Sequence, residues 1–440
     1  MRLHHCFYGL LMSLCSTMLQ AENLLQVYEI AVLRDPALAA AYASMRANHQ
    51  SLPEAIALMA PNIYGSYQTT GTDAAANYFS PLVESGGYNT KNYSLNLNQP
   101  IYHAELWAQL EQARHIVKGA DAAYFSATQA LIVRVAEHYF NILIALDDLD
   151  FTAGQRKAFA REFEQAKQRF EVGLIAITDV ETAKARFDNA VAAEISAQNN
   201  VFDQYEKLRQ ITGQPINAIT LFPVNKPLPL LPPTPNAPEE WVQTAHLQNM
   251  DVIAAKENAE QLKAAIGIQV AGHFPKVDIL ASVDRQVQQP PFNDLLFSRS
   301  ITLNVSMPLF SGGSVFFRTR EATERYDEAM QKLEGQRRLT DSLTRQAYRG
   351  VLTAMSSVEA LAQAVLSNES SLRATKAAYE VGTRTIVDVL NAETSLLDAK
   401  RTHAKARYKY LLEGLKLKQA AGILAPEDVL AVNNLIEGCA

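Results

Sequence analysis

At 440 residues and 48% hydrophobic content the chain is long enough to bury more than one core, and it lies outside the range of disordered proteins. A net charge of −6 and an isoelectric point near 5.9 give no basic footprint, which excludes nucleic acid as an expected partner. Of the three cysteines, Cys6 and Cys15 fall near the start and only Cys439 lies beyond, so a chain processed at its N-terminus cannot close an internal disulfide.

In chain order, Arg2 precedes an apolar run from Phe7 to Leu19, and Gln20-Ala21 stands ahead of Glu22. That pattern predicts a signal peptide, residues 1–21, cleaved after Ala21. Leu14 stands before Cys15 where lipidation requires a small residue, which argues against a lipoprotein. The apolar run is too short to span a bilayer, and no later stretch reaches the ~18 consecutive apolar residues of a transmembrane helix. A membrane role is therefore expected to use strands.

Self-comparison reveals an internal repeat, the feature that decides the fold. Phe170-Glu171-Val172-Gly173, followed by Ile177, Asp179, Val180 and Ala183, recurs as Tyr379-Glu380-Val381-Gly382, followed by Ile386, Asp388, Val389 and Ala392. Upstream, Leu95, Leu97 and Gln99-Pro100-Ile101-Tyr102 match Leu303, Val305 and Met307-Pro308-Leu309-Phe310 at nearly the same offset. The predicted organisation is a first repeat over 22–213, a Pro-rich extended crossover over 214–238, a second repeat over 239–422 and a C-terminal segment over 423–440. The prolines at 223, 227, 229, 232, 233, 235 and 238 exclude a helix interior from the crossover.

Each repeat reads as helix, two strands around a long loop, a very long helix, a Val-Gly break and another helix. Tyr93, Leu95 and Leu97 alternate with polar neighbours, as do Ile301, Leu303 and Val305, and Val277, Ile279, Ala281 and Val283 alternate with a mostly polar set. The stretch 61–73 alternates weakly and is assigned as a strand by its place in the repeat. Loops are expected over 74–91 and 286–299. Residues 103–171 and 314–380 contain neither Pro nor a turn cluster, and a continuous helix of that length would rise ~100 Å. After each break, apolar residues return at heptad spacing: Val180, Phe187, Val201 and Leu208, then Val389, Leu396, Tyr410 and Leu417. Glu194 and His403 interrupt the two series at the same position, and the pattern predicts helices wound side by side.

A strand with one apolar and one polar face suits a soluble sheet or a barrel wall. Export, strands of about ten residues and rope-like helices favour the barrel. Four strands cannot close one, and an open edge is not tolerated in hydrocarbon, so several copies must share it.

The segments Val381-Gly382-Thr383-Arg384-Thr385-Ile386-Val387-Asp388-Val389-Leu390, Val172-Gly173-Leu174-Ile175-Ala176-Ile177-Thr178-Asp179-Val180 and Leu208-Arg209-Gln210-Ile211-Thr212-Gly213 resemble the TolC family of outer-membrane channels, as do Glu22-Asn23-Leu24-Leu25-Gln26-Val27-Tyr28 and Asp428-Val429-Leu430-Ala431-Val432-Asn433-Asn434. The resemblance implies a mainly α fold with a small β part: a homotrimer whose four strands per chain make a 12-strand barrel, continued by a long α-helical barrel with a coiled-coil periplasmic tip. It implies an exit duct for efflux or type I secretion. The duct would lie in outer-membrane lipid and work with a periplasmic adaptor and an inner-membrane RND pump or ABC exporter.

The resemblance also assigns roles at the breaks. Val172, Gly173, Leu174, Val381, Gly382 and Thr383 become the adaptor-docking tip. Arg384 becomes a latch bonded to Thr178 and Asp179, with Tyr379 also reaching Asp179. The residues matching Arg384 and Tyr379 in the first repeat are Ile175 and Phe170, so only the second repeat supplies donors. Asp388 and Asn391 take the positions that narrow the entrance, where the family pattern has two acidic residues. Asn391 departs from it, leaving one acidic ring and predicting weaker block by multivalent cations. The plain alternative is that these are solvated residues near helix starts, Asp179 favoured by the helix dipole.

Nothing points to catalysis or a cofactor. The nine histidines form no His-x-x-x-His pair, and Ser311-Gly312-Gly313 lacks a phosphate-loop lysine and reads as a strand-to-helix corner. The runner-up reading is a periplasmic structural or adaptor-like coiled-coil protein with a soluble strand domain.

Overall fold

The computed structural model describes residues 21–74, 86–216, 218–219, 228–288 and 294–437. The signal segment, Cys439, Tyr78, Phe79 and Phe292 lie outside the described residues.

The first repeat carries α1 (Leu24–Arg34), α2 (Pro36–His49), α3 (Ser51–Ala57), β1 (Asn62–Ala74), β2 (Gly86–His103), α4 (Ala104–Glu171) and α5 (Ile177–Thr212). The second carries α6 (Pro238–Gln248), α7 (Met250–Val270), β3 (Lys276–Gln288), β4 (Leu295–Ser306), α8 (Ser314–Glu380) and α9 (Ile386–Ala421), followed by α10 (Pro426–Glu437). The long helices of 68 and 67 residues fall where the absence of breakers placed them. Each repeat opens with more helix than expected, three helices in the first and two in the second. Pro238 is the first residue of α6, where its missing N–H costs no helical bond.

The repeat is visible in the chain's punctuation. Gly173 and Gly382 follow the long helices at φ 76° and 79°, and Gly213 and Gly422 cap the helices after them at φ 66° and 79°. Only glycine adopts this left-handed conformation without a Cβ penalty. Gly312 and Gly313, at φ 62° and 77°, make the corner between β4 and α8.

The described chain divides into two compact units, each drawing on both repeats. One comprises Ala40–Ala127 and Gln243–Ser342 and holds the sheet. Its strands run β1-β2-β3-β4, antiparallel throughout, with β1 and β4 at the edges. The strands are longer than the ten residues expected, at 12 to 18, and the two loops correspondingly shorter. β2 continues past Pro100, which still faces Asp278, and a register shift just after it leaves Ile101 as the extra residue before Tyr102 pairs with Val277.

The other unit comprises the chain up to Ala39, Thr128–Val242 and the chain from Leu343. Its core is built from Leu131, Val135, Tyr139 and Ile142 along one face of α4, with Leu24, Val27, Leu208 and Ile436, all fully or almost fully buried. Under the crossover, Trp241, Tyr348, Val351, Leu417 and Ala421 pack together. Both aromatics there find polar partners, Trp241 Nε1 donating to the Pro235 carbonyl at 2.7 Å and Tyr348 Oη to Asn236 Oδ1 at 2.7 Å. Of the heptad positions, Val180, Val201, Leu208, Val389 and Leu417 are buried; the interrupting Glu194 pairs with Arg156.

α4 and α8 each contain an 18-residue window with mean hydropathy of 1.2 and 1.3, apolar enough by length and composition to cross a bilayer. Scattered polar residues interrupt the consecutive run but leave the average high.

Candidate functional site

Two features bear on the expected roles: the two faces of the sheet, and the paired breaks at the ends of the long helices.

Strand register sorts the sheet by polarity. On one face Ile63 pairs with Leu97, Tyr67 with Tyr93, Leu95 with Val283, Ala281 with Ile301 and Ile279 with Leu303. On the other, Ser66 faces Ser94 with their hydroxyls 2.7 Å apart, and Ser282 faces Ser300 at 3.0 Å. Asn96 Nδ2 donates to Ser94 Oγ at 3.0 Å, Ser282 Oγ to Asp284 Oδ2 at 2.8 Å, and Gln68, Asn92, Gln286 and Ser298 extend the polar surface. The apolar face is uncovered in the single chain: Leu95 is 53% exposed, Ile301 83% and Leu303 65%. Such an apolar surface is tolerated only against lipid or another protein. Of the strand aromatics, Tyr67 and Tyr93 lie on the apolar face with ring centres 5.0 Å apart, whereas Tyr64 lies opposite Asn96 on the polar one.

The two breaks share one backbone design. At the first, Gly173 N–H donates to the Phe170 carbonyl and Leu174 N–H to the Arg169 carbonyl, both at 2.9 Å. At the second, Gly382 donates to Tyr379 at 3.0 Å and Thr383 to Ala378 at 2.9 Å. This pair of bonds is the Schellman closure of a helix end by a left-handed glycine. Val172 and Leu174 stand 70% and 73% exposed, and Val381 75%, so both breaks present apolar side chains to the outside.

The helix starts that follow differ. Thr385 caps α9: its backbone N–H and Oγ1 donate to Asp388 Oδ2 at 2.9 and 2.8 Å, and Asp388 N–H returns a bond to Thr385 Oγ1 at 3.3 Å. These bonds hold the Asp388 carboxyl below the usual carboxylate range, with nearby Arg384 adding to the effect. At α5 the capping residue is Ala176, which has no side-chain acceptor, and only the Asp179 carboxylate accepts from its N–H, at 3.4 Å.

The two breaks meet across a cleft of about 370 Å³ whose lining includes Glu162, Asp179, Arg186, Thr385, Ile386 and Val387. Asp179 of the first repeat and the residues just after Arg384 thus share one space. The expected latch bonds themselves are not made: among the described residues, neither Arg384 nor Tyr379 bonds to Thr178 or Asp179. Arg384 instead lies 3.9 Å from Asp388, one helical turn ahead on its own chain segment. Asp388, expected at a constriction, works as a helix cap within the single chain, and Asn391 is exposed.

The structure also reveals ties that the sequence reading missed. α9 is bound to α4 by Arg161–Glu393 at 3.6 Å, Arg401 and Lys405 to Asp148 at 3.5 and 3.0 Å, and Tyr408 Oη donating to Asp147 Oδ2 at 2.8 Å. Burial raises the Asp147 carboxyl, although the Tyr408 bond opposes it. Only spacing among polar residues could have signalled these pairs, since the heptad reading follows apolar positions.

A sheet with one lipid-compatible face and one hydroxyl-lined face, on a chain whose long helices end in coiled breaks, defines a membrane channel of the outer-membrane type. The family model of outer membrane efflux proteins matches residues 27–214 and 241–423, and the chain belongs to that family. It is 34% identical to outer membrane protein TolC of Escherichia coli, over 97% of this chain and 88% of that one, and 33% identical to TolC of Vibrio cholerae, over 95% and 94%. Among solved structures, the Campylobacter jejuni CmeC outer membrane channel superposes with a TM-score of 0.79 at 17% identity, covering 94% of this chain and 90% of that one, and so shares the fold. The protein is an outer-membrane channel of the efflux and type I secretion class that extends into the periplasm, which sets aside the soluble periplasmic reading.

Proposed function

We propose that three copies pool their strands into a closed twelve-strand barrel and that their helices continue the duct to an entrance gated at the paired breaks. The carrying observation is that β1 and β4 both sit at sheet edges, beside an exposed apolar face. Joining β4 of one copy to β1 of the next removes every edge, as hydrocarbon requires. The polar face then lines the bore. The apolar window of α8, only 17% buried in the single chain, supports packing against a neighbouring copy. Purified protein should have the mass of three chains in detergent and conduct in planar bilayers. A monomer without conductance would overturn the reading.

In the closed entrance, Arg384 swings from Asp388 to Thr178 and Asp179 across the cleft, joined by Tyr379. A planar guanidinium can bond bidentately to a carboxylate, which makes Arg the suitable residue for a releasable tie. Opening requires α9 to move against α4, so the Asp147–Tyr408 and Asp148 ties must yield or pivot. Asp388 from three copies forms a single acidic ring, with Asn391 where a second would stand.

The exposed Val172, Gly173, Leu174, Val381, Gly382 and Thr383 form the docking surface for a periplasmic adaptor, itself joined to an inner-membrane RND pump or ABC exporter. Relatives at 26% and 25% identity carry the names alkaline protease secretion protein AprF and proteases secretion protein PrtF, which supports protein export as well as efflux. The channel performs no catalysis and takes no cofactor; the work is done by its partners.

A further inference from the structure

Glu22 is held firmly on both sides. Its N–H donates to the Ala218 carbonyl at 3.0 Å, and it forms a parallel bridge with Ile219, which is buried. Directly after it, Asn23 and Gln26 close a reciprocal capping box with two bonds of 2.9 Å, Asn23 Nδ2 donates to Glu437 Oε1 at 2.6 Å, and Leu24 and Val27 are fully buried. The side chain of Glu22 does not share this saturation. Among the described residues its Oε2 is buried without a hydrogen-bond partner, and burial pushes the carboxyl up. A buried carboxylate oxygen left unmet is destabilising and calls for a donor.

The backbone nitrogen of the same residue is the atom that processing would change. As an amide it has one hydrogen, already given to Ala218. We propose that hydrolysis of the Ala21–Glu22 peptide bond completes this site: water adds across the bond, the new carboxylate leaves with Ala21, and the α-ammonium of Glu22 becomes the partner of its own buried carboxylate. The ammonium keeps the bond to Ala218 and gains two further donors and a positive charge within one side chain's length of Oε2. Cleavage one or two residues earlier would leave a neutral amide at Glu22 and the oxygen unmet. The fold of the first helix therefore selects one processed end, and processing is a structural step as well as the release of a leader.

The test begins with the intact mass and N-terminal sequence of protein purified from outer membranes, expected to start at Glu22. Thermal midpoints are then compared for this protein, Glu22→Gln, a form processed with two extra alanines before Glu22, and the combination. Extension and Glu22→Gln should each lower the midpoint, and the combination should lower it no further than either alone. Selective acetylation of the terminal amine in the purified protein, which needs no refolding, should reproduce the loss. In 15N-labelled protein the unmodified terminal amine should titrate above an ordinary α-amino group by NMR and return to the ordinary range in Glu22→Gln. A different first residue, an unchanged midpoint on extension or acetylation, or an equal loss from Glu22→Gln in the extended form would overturn the proposal; the last would mean that another group meets the oxygen. None of these readouts depends on conductance, so they fail or succeed independently of the gate.

Discussion

The two breaks have the same backbone and different chemistry. Both close a long helix with a left-handed glycine and the same pair of carbonyl bonds, yet the second adds Thr385, Asp388, Arg384 and Tyr379 where the first has Ala176, Asp179, Ile175 and Phe170. The same geometry occurs twice and both breaks keep a carboxylate, Asp179 and Asp388, but only the second carries the donors Arg384 and Tyr379. In the single chain Arg384 lies beside its own Asp388 at 3.9 Å, and the first break has no guanidinium at the matching position.

The comparison can be broken most forcefully at the donor. Arg384→Ser should raise conductance several-fold in planar bilayers, whereas Ile175→Ser at the matching position should leave it nearly unchanged; equal effects would show that the asymmetry is not functional. Backbone equivalence predicts the opposite pattern at the glycines. Gly173→Ala and Gly382→Ala should each cost about 1 kcal/mol, because both positions require positive φ, and urea titration of the two variants should give matching losses. The caps should differ again. Thr385→Ala removes a side-chain acceptor and should cost about 1 kcal/mol, while Ala176→Thr should recover part of that at the first break; amide exchange at the starts of α5 and α9 reads both.

The Asp388 carboxyl is depressed in the folded chain, so its contribution is fully present above the unfolded carboxylate range and is lost as pH falls through the lower folded value. Exchange protection at the start of α9 should therefore fall in acid, and Asp388→Asn should abolish that dependence. The smallest effect is expected from Asn391→Asp, which should strengthen block by multivalent cations in single-channel recordings without altering the fold.

Much of this was legible in the sequence. The long helices were delimited by where Pro and clusters of turn residues are absent and the strands by alternation, and Gly213 and Gly422 stop equivalent helices as a repeat requires. What escaped has physical reasons. β2 runs through Pro100 because pairing with β1 has already ended at Asn98 and Pro100 stays in register with Asp278 on β3, which no propensity reveals. Gln68, Thr69, Thr70 and Thr72 make the end of β1 polar on both faces, and β4 starts with Leu295, Leu296 and Phe297 apolar on both, so alternation fades before pairing does. The cap formed by Asp388 was hidden because the same carboxylate serves equally well as a helix start or a ring in a pore, and only coordinates show the bonds to Thr385. The Asp147–Tyr408 tie depends on two residues far apart in sequence meeting at one level of two helices.

The serine pairs across the sheet have a consequence for whatever travels past them. Hydroxyl and amide groups trade hydrogen bonds with water at little net cost, so such a wall wets readily and grips nothing for long. A conduit lined this way discriminates by size and leaves chemical choice to whatever loads it.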